Sequence, residues 1–138
     1  MARSKYGKYI IREPRGTVEE NGKVKWRGVR VDHDQLGADC HLLYAAVTEP
    51  YVMVDKPHVH DFTHFLCFFG SNPLDYYDFD AEVEFYLGGE RHIIDATSVV
   101  SVPAGLTHCP LIFKRIGKPI MVMEIMLTGH YVRKEPGK

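Results

Sequence analysis

Residues 58–64 of this chain read His-Val-His-Asp-Phe-Thr-His and place three imidazoles within seven positions. A second stretch, Pro-Ala-Gly-Leu-Thr-His at 103–108, adds a fourth imidazole at the end of a strand-like run. Imidazole is a common ligand of transition metals, and several converging imidazoles suit Zn, Cu, Fe or Ni better than Ca or Mg. The two stretches together predict a metal site inside a β-barrel.

Strand alternation decides which of these histidines can meet. Side chains at i and i+2 share one face of a strand, about 6.6 Å apart, so His58 and His60 can reach the same ion. On a straight strand His64 would lie about 20 Å from His58. It can join the site only if the chain reverses near Asp61, a turn-forming residue. His108 follows a Pro-Ala-Gly turn, which can swing it inward at the start of the next strand.

The rest of the sequence has the pattern of a β-protein. Alternation with period 2 and turn signals dominate, and about ten short strands with regular turns are typical of a sandwich or barrel. The pair Asn21-Gly22 predicts a hairpin turn, and residues 34–39 are predicted to form a loop. The predicted strands are 7–12, 26–32, 42–47, 51–54, 65–69, 82–87, 91–94, 98–102, 109–114 and 120–127.

Composition narrows the class of function. The 138 residues favour one domain. A formal net charge of -1 gives no general attraction to nucleic acid or to an anionic membrane. No apolar run reaches the ~18 residues that span a bilayer. Three cysteines at unrelated spacings argue against a disulfide framework and predict a reducing, cytoplasmic location.

The order and spacing of the two histidine stretches resemble the cupin superfamily. Its first motif runs His-x-His, three or four residues, Glu, about six residues, Gly; its second contains Pro-x-Gly-x-x-His. His58, His60 and His108 match the family's three histidine ligands. His64 takes the place of its glutamate, and Gly70 that of its closing glycine.

This resemblance implies an all-β fold, the double-stranded β-helix or jelly-roll barrel, with the barrel core at 41–127 of a single cupin domain, 1–138. Residues 1–40 are then an N-terminal extension with short strands, and 128–138 a C-terminal tail. Within that tail the charged residues 133–138 are predicted to be loose. A homodimer is implied as well, and exposed edge strands of the extension would favour it. The implied cofactor is a divalent transition metal (iron, manganese, zinc or nickel) held by His58, His60, His64 and His108.

The function implied by the resemblance is that of a small metalloenzyme acting on a small organic substrate, with dioxygenase chemistry first and lyase or isomerase chemistry second. Four neutral imidazoles leave a divalent ion at about +2, which attracts anionic ligands. His64 either binds the ion directly or lies behind the other three ligands. The alternative is a non-catalytic binding or sensing module, and saturated four-histidine coordination would favour it.

Three carboxylates are candidate catalytic groups. Glu82 and Glu84 share one face of a strand, which either enters the barrel or faces solvent. Glu124 lies in an apolar strand and shares the parity of Val122 and Met126, which indicates an inward position.

The remaining histidines and cysteines are assigned away from the site. Cys109 comes directly after His108, and Cys67 has the opposite parity to His64, so both are expected to face the other side of their strands. The histidines without ligand-like spacing are interpreted as structural or exposed: His33, His41, His92 and His130.

Overall fold

The computed structural model describes residues 4–136, so the ends of the predicted 1–138 domain lie outside the described residues. Antiparallel strands make up most of the described chain. They are β1 Arg15–Glu20, β2 Lys23–Val31, β3 His41–Val47, β4 Tyr51–Val54, β5 His64–Gly70, β6 Ala81–Leu87, β7 Glu90–Ile94, β8 Ser98–Val102, β9 His108–Ile116 and β10 Ile120–Met126.

Two sheets form the barrel. One has six strands in the order β1-β2-β3-β10-β5-β8, and the other has four in the order β4-β9-β6-β7. Inward side chains from both sheets make one hydrophobic core, with Phe68 and Val122 from the first sheet and Phe85 and Phe113 from the second. Burial of such side chains is the main favourable contribution to folding. The predicted all-β fold is confirmed.

The inward face of the six-stranded sheet is polar at one end and apolar at the other. At one end Met126 of β10 lies between His41 of β3 and His64 of β5. At the other end Ile120 and Phe68 are fully buried. The polar end of the barrel is therefore where β5 begins and β10 ends.

The predicted strand at 7–12 is wrong. Gly7–Tyr9 is a turn of 3-10 helix, and the strand that pairs with β2 is β1 at Arg15–Glu20. Asn21 and Gly22 form the connecting turn with φ of 53° and 75°, which joins Glu20 directly to its partner Lys23. A two-residue hairpin loop fixes the strands immediately beside it, so the partner of β2 has to end at residue 20.

The predicted loop at 34–39 is partly helical. A short helix, α1, spans His33–Leu36, and the Asp32 side chain accepts a hydrogen bond from the Asp34 backbone N–H at 2.9 Å. The Gln35 side chain in turn accepts from the Asp32 backbone N–H, completing a capping box. Gly37 follows in the left-handed conformation that ends helices. These capping residues explain why one helical turn forms here.

Candidate functional site

Four imidazoles meet at the polar end of the barrel. The His58 ring centroid lies 4.8 Å from that of His60 and 4.4 Å from that of His108. His64 lies 5.1 Å from His60 and 4.8 Å from His108, again between ring centroids. All four residues are buried, with 3–7% of their surface exposed.

The backbone brings these rings together from three segments. His58 and His108 exchange both backbone hydrogen bonds in an antiparallel bridge, each at 3.0 Å. The chain bends at Asp61 and Phe62, and β5 then begins at His64. The predicted reversal therefore occurs, and His64 returns to the side of His60 instead of continuing away along a straight strand.

Three of the four histidines form the tighter group. His58, His60 and His108 each offer a ring nitrogen within 4.8 Å of the others, a spacing that could hold a metal ion. His64 packs against two of these rings but lies outside that group. The geometry separates a triad from a fourth, adjacent imidazole.

Backbone carbonyls orient the triad. The Nδ1 atoms lie against the carbonyl oxygens of Lys56 for His58 (3.4 Å), of Val132 for His60, and of Leu106 for His108 (2.9 Å). A neutral imidazole that donates from Nδ1 keeps Nε2 as its unprotonated nitrogen. This arrangement leaves one lone pair on each ring, as in histidines that bind metals.

Burial keeps all four rings neutral. Desolvation lowers the pKa of His58 to about 3, of His60 to about 4 and of His64 to about 3, and it also lowers the pKa of His108. Unfavourable interaction with His108 adds to the shift at His58 and His64. Neutral imidazole is the form that binds metals.

His64 has a ring nitrogen without a hydrogen-bond partner among the described residues. This atom, Nδ1, is buried. Buried polar atoms are rarely left unpaired, and an exception calls for an explanation such as an ion. Four neutral imidazoles, each with one unprotonated ring nitrogen, fit a divalent transition metal by donor type.

The histidines line a cavity of about 390 Å³. Its wall combines apolar and polar side chains from both sheets, the β1–β2 turn and the C-terminal segment. The apolar side chains are Val18, Trp26, Leu43, Met53, Val54, Leu66, Leu111 and Met126. The polar side chains, besides the four histidines, are Glu19, Glu20, Asn21, Arg30, His41, Cys109, Glu124, Tyr131 and Arg133.

Glu124 lines this cavity as its strand parity indicates. In the sheet it lies between Leu43 and Leu66, one inward row away from Met126. Burial raises the pKa of the Glu124 carboxyl to about 7, although the positive charge of Arg133 partly opposes this shift. A carboxyl that titrates near neutral pH inside a cavity is suited to proton transfer.

Glu82 and Glu84 lie away from the cavity. Val83 and Phe85 take the core positions of β6, so the alternate residues point outward. Glu82 is exposed, and Glu84 is paired with Arg91 and, at 3.6 Å, with Lys114. Neither carboxylate is among the described residues that line the cavity. Glu82 faces solvent, whereas Glu84 is 5% exposed and lies buried beside its ion-pair partners, outside the cavity.

The C-terminal segment belongs to the site, against the expectation of a loose tail. Lys134 exchanges backbone hydrogen bonds with Val59 at 2.8 and 2.9 Å. The Tyr131 ring lies 4.9 Å from His60 and 6.4 Å from His41 between ring centroids. Arg133 donates to both carboxylate oxygens of Glu20, at 2.9 and 2.7 Å, and so ties the segment to β1.

Cys109 faces the cavity instead of pointing away from it. The register of β6 with β9 shifts here. Leu87 pairs with His108 and Phe85 with Leu111, so β9 has one residue more than β6 between these two pairs. Cys109 has φ of 79° within this irregularity. An extra residue of this kind re-aims neighbouring side chains, so both His108 and Cys109 turn inward. Desolvation raises the pKa of the Cys109 thiol to about 12.

The sequence interpretation also missed His41. This residue is 2% exposed and lines the cavity in the same row as His64. Its strand parity with Leu43, Ala45 and Val47, all buried, is a signal that places it inward. The other three histidines without ligand-like spacing do not line the cavity among the described residues: His33, His92 and His130.

Comparison with known proteins confirms the fold. No protein-family model and no curated protein sequence matches the chain. A solved double-stranded β-helix protein from Klebsiella pneumoniae is similar over 88% of this chain and 91% of its own, with a TM-score of 0.53 at 13% identity. An oxalate decarboxylase gives 0.55 at 16% identity over 87% of this chain. An oxalate oxidase gives 0.52 at 11% identity over 78%.

The chain spans 30% of that decarboxylase and 53% of that oxidase. At these sequence identities the likeness shows the fold alone, which is the predicted double-stranded β-helix of the cupins.

Replacing Glu124 by Gln should make the stability of the metal-free protein less dependent on pH. The folded pKa near 7 lies above the ordinary value of 4.5, so ionised Glu124 destabilises the fold. This cost is absent below about pH 4.5 and grows as the pH rises through 7. Urea unfolding should show the advantage of Glu124→Gln over wild type growing by about 3 kcal/mol between pH 4.5 and 8.

The matched control for this experiment is Glu82→Gln, because Glu82 is exposed on β6. A stability difference between Glu124→Gln and wild type that stays constant with pH would show that Glu124 is not held in its acid form by burial.

Proposed function

We propose that this chain, which has the fold of the cupins, binds a divalent transition metal through His58, His60 and His108, with His64 as a fourth ligand. The observation that supports this most directly is the convergence of three buried, neutral imidazoles whose Nδ1 atoms face backbone carbonyls. Iron, manganese, zinc and nickel all suit imidazole donors. The unpaired Nδ1 atom of His64 supports its inclusion.

The proposed activity is that of a small metalloenzyme acting on a small organic substrate. Dioxygenase chemistry is the first candidate and lyase or isomerase chemistry the second. A metal bound here would supply Lewis-acid chemistry and, if redox-active, electron transfer. The chain's own residues would orient the substrate against apolar walls such as Leu43 and Leu66, and Glu124 would hold or accept a proton.

Cavity size and lining favour a small substrate. A volume of about 390 Å³ is near the lower end of the range for ligand pockets. Its apolar side chains would contact a short carbon skeleton, and the four histidines cluster at the polar end of the barrel. An ion held by neutral ligands retains its full charge and would favour anionic groups on that substrate.

The alternative is a non-catalytic cupin that binds or senses a small molecule. Four imidazoles around one ion could fill a tetrahedral site, as in structural centres. The close packing of His64 on both His60 and His108 is the observation that favours this alternative.

Removing a triad histidine should remove the metal. Elemental analysis of protein purified without a metal-affinity tag should find bound metal in wild type and almost none in His58→Ala or His108→Ala. Because His64 lies outside the triad, His64→Ala should keep a site with at least tenfold weaker affinity.

His92→Ala is the matched control for these variants, since His92 is exposed on β7. Circular dichroism checks that each variant is folded. Wild-type levels of metal in both folded triad variants would refute the proposed site.

An open position on the metal distinguishes the enzyme from the binding module. We expect the cobalt-substituted protein to change its visible absorption when azide is added, because a catalytic site keeps one position free for an external ligand. An unchanged spectrum at saturating azide would indicate that the ligands of the protein fill the coordination sphere. That result would favour the non-catalytic alternative.

We also propose a cytoplasmic homodimer. No helix among the described residues is long and apolar enough to cross a membrane. Strand β1 lies at the edge of the six-stranded sheet, and edge strands are surfaces for pairing between chains. Sedimentation velocity should give twice the chain mass, and a single-chain mass at every concentration measured would contradict the dimer.

A further inference from the structure

One guanidinium in the cavity wall has no counter-charge. Arg30 of β2 lines the cavity and is partly buried. It donates from Nη1 to the carbonyl oxygen of Thr17 at 2.6 Å and from Nε to Nε2 of His41 at 3.1 Å. Within residues 4–136 no carboxylate forms an ion pair with Arg30, whereas the other cavity arginine, Arg133, is paired with Glu20.

The two strands that flank β2 hold Arg30 in place. Thr17 belongs to β1 and His41 to β3, on either side of β2. A Cβ atom built on Gly16 would come within 2.3 Å of the Arg30 Cβ, so glycine at that position leaves room for the Arg30 side chain. A guanidinium held in this way loses little conformational entropy when it binds an anion.

His41 adds an unsatisfied hydrogen-bond donor to this part of the cavity wall. Because the arginine Nε–H can only donate, Nε2 of His41 must accept, and the proton of the neutral ring lies on Nδ1. Burial lowers the pKa of His41, with the charge of Arg30 adding to the shift. Its Nδ1 atom is buried without a partner among the described residues. An acceptor bound beside Arg30 would offer this donor a partner.

Arg30 and the histidine triad mark two different parts of one cavity. His41, to which Arg30 is bonded, shares a row with Met126 and His64. Two strand spacings separate the Cα atoms of His41 and His64, or about 10 Å. Apolar side chains such as Leu43 and Leu66 also line the space.

The charges indicate one negative group on the ligand. Glu20 neutralises Arg133, and burial favours the neutral acid of Glu124 up to a pH of about 7. Glu19 also lines the cavity, but it is exposed and forms no ion pair with Arg30. Among the described residues, Arg30 is then the cavity cation that forms no ion pair with a carboxylate. A planar guanidinium with free N–H groups matches a carboxylate.

We propose that Arg30 is the carboxylate anchor of this cavity. The ligand is then a small monocarboxylate with an oxygen donor at its other end, which reaches toward the histidines. This inference rests on the function proposed above, because the second anchor is the metal.

The test compares carboxylates with matched neutral amides. Isothermal titration calorimetry on the manganese-loaded protein would use glycolate, 3-hydroxypropionate and 4-hydroxybutyrate, each beside its primary amide. At least one carboxylate should bind tenfold or more tightly than its amide, because charge-assisted hydrogen bonds are the strong ones. Arg30→Gln should weaken that carboxylate about tenfold and leave its amide within about twofold.

Two variants control for charge and for position. Arg30→Lys keeps the positive charge and should retain part of the preference for the carboxylate. Arg27→Gln removes an exposed arginine from the same strand and should behave as wild type. A preference for the carboxylate that persists undiminished in Arg30→Gln would place the carboxylate on the metal and overturn the inference. Equal binding of carboxylates and amides by wild type would also overturn it.

Chemical labelling tests the same point if Arg30→Gln does not fold. Phenylglyoxal modification of wild-type protein, followed by mass spectrometry, should be slowed at Arg30 by the carboxylate and not by its amide, with Arg27 as internal control. Lack of protection at Arg30 would overturn the inference. Elemental analysis after loading with iron, manganese, zinc and nickel in turn separates the two proposals. If the protein retains none of these metals, the metal site fails and the inference fails with it. Metal-loaded protein that shows no effect of Arg30 refutes the anchor alone.

Discussion

The site depends on keeping four imidazoles uncharged in a place that water barely reaches. An isolated buried charge is costly, so a buried histidine is neutral unless it is paired. A neutral ring still has one N–H that needs an acceptor. Here the acceptors for the triad are backbone carbonyls at Lys56, Leu106 and Val132. These carbonyls come from loops and from the C-terminal segment. The position of the proton on each ring therefore depends on distant parts of the chain.

The cost of burying an uncompensated charge also explains the states of the acidic and basic groups near the cavity. Glu20 and Arg133 are paired through two hydrogen bonds, and Arg133 also donates to the Tyr131 hydroxyl at 2.7 Å. Glu124 lacks such a partner, and burial raises its pKa. The Glu20 carboxylate is thus neutralised by the Arg133 guanidinium, and the Glu124 carboxyl by a bound proton. Arg30 remains the cation of the cavity wall that has no carboxylate partner among residues 4–136.

Much of this arrangement could be predicted from alternation along strands. The period of two placed His58 with His60 and placed Glu124 on the inward face with Met126, because regular strands obey it closely. It failed at Cys109, where an extra residue shifts the register of β9 against β6. A shift of this kind depends on the partner strand, and no local pattern at residues 108–111 reveals it. The position of β1 follows from the two-residue loop Asn21-Gly22, which makes the preceding strand end at Glu20. The β-like pattern at residues 7–12 does not contain this constraint, so the strand predicted there is wrong.

His41 and Arg30 were missed for a different reason. The sequence predicts β-structure in the strands that carry them, β2 and β3. The inward face of a strand is recognised by its apolar residues, and an inward polar residue interrupts that pattern. His41 extends the buried series of Leu43, Ala45 and Val47 by one position. Arg30 has the parity of the buried Trp26 and lines the cavity with it. Glu124 lies within its apolar series, between Val122 and Met126, and its inward position can be predicted from that series. His41 and Arg30 instead stand beyond the last apolar residue of theirs, where the pattern no longer decides the face.

The segments outside the histidine motifs give the cavity its individual chemistry. Strands β1 and β2 bring Glu20 and Arg30, and the residues after β10 bring Tyr131 and Arg133. None of these lies between the two stretches that carry the histidines. The imidazoles define what kind of ion can be held, whereas the terminal segments define which charges and shapes a ligand meets beside it. Two barrels with the same four histidines and different termini would thus be expected to bind different molecules, because fold and metal ligands alone do not specify a substrate.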